Sequence, residues 1–141
     1  MNYQSFTIIV SEEGHNIDFR IYESKTGMRQ AYKELSPEQG EHDEVESVHC
    51  AYTFFDEYDD GSKEYSKHTG ILLTHSEEMM AGVIEHELMH AIFWAHKHHA
   101  DKEQYPIIIT NMEEEEILLG NFTHALNQLY TCLSQPKLIN D

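Results

Sequence analysis

The chain has 141 residues, 40% of them hydrophobic and 25% charged, which is the composition of an ordinary folded domain and not of a disordered chain. Its 26 aspartates and glutamates against 9 lysines and arginines give a net charge of −17. No basic stripe exists, so nucleic acid and anionic membrane are excluded as partners, and cations and basic or neutral peptide segments are favoured.

The opening MNYQSFTIIV lacks the basic start and long apolar run of a secretory signal, and no stretch reaches the roughly 18 apolar residues of a membrane span. Cys50 and Cys132 stand far apart with no C-x-x-C, so they are expected to be free thiols in a reducing, cytoplasmic setting. Phe6, Ile8 and Val10 alternate, as do Ile17, Phe19 and Ile21, with SEEGHN turning between the two runs; this predicts a β-hairpin. Met28, Ala31, Tyr32 and Leu35 then follow helical spacing, and SPEQGEHDE is a surface loop. Alternation returns over residues 45–55, with Val48, Cys50, Tyr52 and Phe54 on one face. DEYDDGSKEYSK reads as a polar turn and TGILLTH as the return strand of a second hairpin.

Ser76, followed by Glu77 and Glu78, fits the N-cap and first turn of a long helix running from about Glu77 to His96. Tyr105-Pro106 interrupts the chain, and a final helix runs from about Met112 to Leu133, closed by Gln135-Pro136. With no internal repeat and no linker, the order ββαββαα predicts a single α+β domain over residues 1–141. Its expected architecture is a small antiparallel sheet of two hairpins packed against two long helices.

The penultimate helix carries His86-Glu87-Leu88-Met89-His90, an H-E-x-x-H. Histidines at i and i+4 project from one helix face and can reach one ion, while the intervening glutamate stands beside it as a base. Zinc lowers the pKa of bound water to near 7, and the carboxylate completes a hydrolytic nucleophile. A chain with 11 histidines and 26 acidic residues meets this pattern by chance more often than most, so its setting decides. Met79, Met80, Val83, Ile84, Leu88, Met89, Ala91, Ile92, Phe93 and Trp94 make the helix apolar nearly all round, which predicts a buried helix. Buried His86, Glu87 and His90 need partners, and one Zn²⁺ supplies that partner. The bland alternative is a pair of packed, metal-free histidines.

A zinc site needs a third protein ligand. His96 falls where the extended H-E-x-x-H-x-x-G-x-x-H places its last histidine, but Phe93 replaces the glycine. On a continuing helix His96 points about 240° away from His90. His98 and His99 lie past the expected helix end and could fold back toward the ion, but nothing fixes them there, and a solvated histidine cluster at a helix terminus suits the dipole. The run Glu113-Glu114-Glu115-Glu116 opens the last helix. Leu118, Leu119, Phe122, Leu126 and Leu129 define that helix's apolar face, and one turn back from Leu118 and Leu119 lies Glu115, with Glu114 its nearest rival. Glu115 is the favoured third ligand.

HELMH, a following helix headed by a core-facing glutamate, and the preceding strand TGILLTH together resemble the minimal gluzincins, small thermolysin-like zinc peptidase cores that include ImmA/IrrE-type proteins and short zincin-like proteins of phages and prophages. The resemblance covers about residues 45–133. It implies a zincin-like fold with His86 and His90 as zinc ligands, Glu87 as general base and a glutamate from 113–116 as third ligand. It also implies that the strand near Gly70–Thr74 forms an edge along which a substrate peptide adds. Such relatives set a His or Tyr opposite the base to steady the oxyanion. Here His75 and Tyr130 are candidates, and His124, about 180° round the helix from Glu115, is disfavoured.

The resulting expectation is a zinc-dependent peptidase acting on a peptide or a specific protein partner. The alternatives are a catalytically inactive zinc-containing binding module and, from a different class, an acidic decoy that mimics a polyanion such as DNA.

Overall fold

The computed structural model describes residues 2–38, 42–52, 54–77, 82–99 and 112–134. Strand β1 (Tyr3–Ile9) turns into β2 (Asn16–Tyr22), and the two pair antiparallel from Tyr3↔Tyr22 to Ile9↔Asn16. Gly14 sits in this turn at φ 90°, a conformation that glycine adopts without a side-chain clash. Helix α1 (Lys25–Leu35) follows, its first turn closed by the Ser24 hydroxyl accepting from the Gly27 N–H at 3.0 Å.

After a short turn of helix at His42–Glu44 come β3 (Val48–Ala51), the small strands β4 (Phe55–Glu57) and β5 (Lys63–Tyr65), and the long strand β6 (His68–His75). The main sheet has the order β1-β2-β6-β3, and β4 and β5 form a separate two-stranded sheet. β6 pairs antiparallel with β3 but parallel with β2. The sheet is therefore mixed, not the antiparallel pair of hairpins expected. The reason is legible in β6 itself: from Thr69 to His75 every residue is buried. A strand whose faces are both covered reads as a continuous apolar run instead of alternating, and Ile71-Leu72-Leu73 is such a run. A central position also removes the edge expected at Gly70–Thr74. The two edges of the sheet are β1 and β3.

Helices cover both faces. Tyr22, Met28, Ala31, Tyr32, Cys50, Ile71 and Leu73 pack on the α1 side. Ile8, Ile17, Phe19 and Leu72 face the opposite side, against α2 (Val83–His99) and α3 (Met112–Ser134). α2 lies over β3 and β6, and α3 over β1. Cys50 and Cys132 are free thiols packed into the two different clusters, on opposite faces of the sheet. No helix among the described residues is long and apolar enough to cross a membrane.

α3 keeps the bounds expected of it. α2 starts later than expected: the Gly82 carbonyl accepts from the His86 N–H at 2.9 Å. The Ser76 hydroxyl donates to the Glu23 carbonyl at 3.2 Å instead of capping the helix. Residues 78–81 lie outside the described set.

Candidate metal centre

The core-facing stripe of helix α2 is Ile84, Leu88, Ala91, Ile92 and Ala95, and near its end Lys97 is buried on the opposite side. His86 and His90 lie about 160–200° round the axis from Leu88 and are exposed. The expectation that the motif is buried is corrected on this point. Small side chains (Ala91, Ala95) lie on the inner face of the helix, in the cluster it shares with the sheet.

The two imidazoles nevertheless converge. Their Nε2 atoms are 3.1 Å apart and the rings meet edge-on, centroids 4.7 Å apart and planes at 80°. Two nitrogens bound to one tetrahedral zinc at its usual bond length stand roughly 3.3 Å apart, so the pair is already at the span of a two-point chelate. Two neutral imidazoles can share only one hydrogen bond across this gap, and two protonated ones repel.

Glu87 points to a different side, toward β3. Its Oε2 accepts from the His49 N–H at 3.0 Å. β3 is the last strand of the sheet, and this N–H turns away from it to the carboxylate. Further along, the Trp94 Nε1–H donates to the Tyr52 carbonyl at 3.2 Å. The step from 87 to 94 covers about 10 Å of helix and the step from 49 to 52 about 10 Å of strand, so helix and edge strand run side by side in one direction. The base candidate thus sits at the free edge of the sheet, next to the histidine pair. Its Oε1 has no hydrogen-bond partner among the described residues.

His49 belongs to this corner and was missed in the sequence, where it reads as one more alternating strand residue. It pairs with Leu72, so its side chain lies on the α2 face of the sheet. Its Nε2 is fully enclosed and without a hydrogen-bond partner among the described residues. Burial, with a smaller contribution from His90, pushes its pKa down to about 4, so the ring is neutral at pH 7. Gly70 makes its room: a Cβ there would stand 2.8 Å from His49 Nε2 and 2.5 Å from the Cys50 carbonyl oxygen. A glycine inside a central strand commonly marks such a close approach.

The remaining candidates fall elsewhere. Glu115, Glu113 and Glu116 are exposed. The buried stripe of α3 is Leu118, Asn121, Ala125 and Leu129, not Leu118 with Leu119, and a turn back along it lies Glu114. Glu114 accepts from or shares a proton with His96, Oε1 to Nε2 at 2.8 Å, at the end of α2 away from the motif. Among the described residues no group of three His, Cys, Asp or Glu side chains is placed to hold one metal ion, so Glu115 is not brought to His86 and His90. The side chains of His98 and His99 lie outside the described set.

His75 is buried against Glu46, Nε2 to Oε2 at 3.3 Å, in a cluster with Lys25 and Arg29. Tyr130 donates to Glu85, the residue before His86, and this bond holds the Glu85 carboxyl below its usual range. The bond ties α3 to the start of α2. His124 is exposed. Neither a protein family, nor a curated protein, nor a solved structure matches the chain.

Proposed function

We propose that the chain is a zinc-dependent peptidase of the H-E-x-x-H type, with His86 and His90 as metal ligands and Glu87 as general base, cleaving a peptide bond in a specific protein partner. The observation that carries this reading is the pair of Nε2 atoms 3.1 Å apart, flanked by a carboxylate anchored to the outermost strand. Zinc held there would activate water and polarise the scissile carbonyl. Glu87, fixed through Oε2 by the His49 N–H, would use Oε1 to take the water's proton and pass it to the leaving amine. β3 would offer an extended substrate the outer backbone groups that Glu87 and Trp94 do not engage, in place of the strand first expected to do so.

A catalytic zinc site has three protein ligands. Glu115 remains the proposed third, which requires the start of α3 to approach the pair. Metal content of the purified protein tests the site: one zinc per chain, lost in His86→Ala and in Glu115→Ala, is the expected result. Zinc kept in His86→Ala would overturn the site, and zinc kept in Glu115→Ala would reassign the third ligand.

The exposure of the pair and the engagement of Glu87 by a backbone N–H favour a second reading, a zinc-containing binding module without turnover. Glu87→Gln separates the two. Zinc retained with lost cleavage supports the enzyme, and zinc retained with unchanged biological effect supports the module.

A further inference from the structure

The β4–β5 hairpin is an independent two-stranded sheet that carries large side chains outside the core. Phe54 is 49% exposed, Phe55 45% and Tyr58 50%. Phe54 packs on Tyr52 and His68 and Phe55 on Tyr65, contacts that help a two-stranded hairpin otherwise marginal in water, yet about half of each ring stays solvated.

Its charge is as unusual as its apolarity. Residues 54–66 hold Asp56, Glu57, Asp59, Asp60 and Glu64 against the single cation Lys63. Asp56 and Glu64 are directly opposite in the register, and like charges in that relation destabilise a strand pair. Tyr58 stands on the same side, its hydroxyl donating to Glu64 at 2.5 Å. On the other side Phe55 packs on Tyr65, centroids 5.6 Å apart, and the Lys63 ammonium lies 4.6 Å from the Phe55 ring centre. That ring therefore already receives a cation, in the geometry of a cation–π contact.

We propose that this hairpin is a docking surface for an extended, Arg/Lys-rich segment of a partner protein. Guanidinium or ammonium groups would sit between Asp56 and Glu64 and relieve their repulsion, while the aliphatic stems lie on Phe54 and Tyr58, which alternation and the Tyr58–Glu64 bond place on that side. The excess of carboxylates speaks against a second copy of the chain as occupant, since two such hairpins repel. The surface needs neither zinc nor turnover.

The test uses the full chain and a ten-residue peptide alternating Arg and Ser, with a Glu-for-Arg peptide as control, followed by amide chemical shifts. Shifts clustered at residues 54–66 are expected, with no response to the control. Asp56→Asn/Glu64→Gln removes a repulsion, so it leaves the hairpin folded, and it should weaken binding at least tenfold. Phe54→Ser should weaken it severalfold. Glu113→Gln/Glu116→Gln, an equal loss of charge on α3, should change it less than twofold. Shifts spread evenly over the acidic surface, or equal losses from the two charge-neutralised variants, would overturn the proposal. So would a dimer in sedimentation that Phe54→Ser dissolves.

Discussion

α2 holds two kinds of histidine contact within eleven residues, and they behave as opposites. His96 meets Glu114 at 2.8 Å, both half-buried: a ring nitrogen and a carboxylate complete each other in one hydrogen bond. His86 and His90 meet each other at 3.1 Å on the exposed face, where two rings of the same chemistry leave a lone pair unanswered. The first contact joins α2 to α3. The second joins nothing in the fold. A histidine cluster is thus read by what faces it: a carboxylate points to a structural pair, a second imidazole at chelating distance to an external cation.

The largest expected effects break the two regions apart. Leu88→Ala, under the pair on the core side, should cost about 2–5 kcal/mol in denaturant unfolding, since Leu88 is fully buried. Zinc at 100 times its dissociation constant should return about 2.7 kcal/mol to the wild type and nothing to His86→Ala/His90→Ala. An equal rise in both would place the metal elsewhere.

Next comes the seat of His49. Gly70→Ala puts a Cβ against both the His49 ring and the Cys50 carbonyl and should destabilise by about 1–3 kcal/mol. His49→Ala in the same chain should restore only part, because the carbonyl is backbone. Full restoration would mean that the ring alone sets the constraint.

The same ring predicts a pH dependence. Its pKa is about 4 folded and about 6.5 unfolded, so between those values the unfolded chain binds the extra proton. Stability should fall by ~2–3 kcal/mol as pH drops from about 6.5 to 4. Metal-free His49→Gln, followed by urea unfolding, should lose most of that slope; an unchanged slope would assign the acid sensitivity to other groups. The smallest effect belongs to the paired histidine: Glu114→Gln should cost about 0.5–1 kcal/mol near neutral pH and leave zinc binding untouched.

Much of this was legible in the residues and some was not. Period-2 alternation fixed the β1–β2 hairpin, and Met28, Ala31 and Tyr32 fixed the inner face of α1, because both patterns report burial on one side. β6 defeated the same reasoning: burial on two sides erases alternation, and pairing with β2 across a long crossover leaves no local mark. For α2, apolar residues all round did not mean enclosure, since Met89, Phe93 and Trp94 are only half-buried and shelter the outer face without covering it. The choice between Glu114 and Glu115 turned on whether Leu118 or Leu119 leads the inner stripe, one residue and about 100° of helix. His49 and Gly70 carry no sequence signal apart from their packing against each other.

Zinc stoichiometry of the dialysed full chain, measured side by side for wild type, His90→Ala and His96→Ala, tests the central claim most directly. One zinc per chain in the wild type and in His96→Ala, with none in His90→Ala, is the predicted result. A wild type without zinc, or the same zinc content in all three proteins, would contradict it.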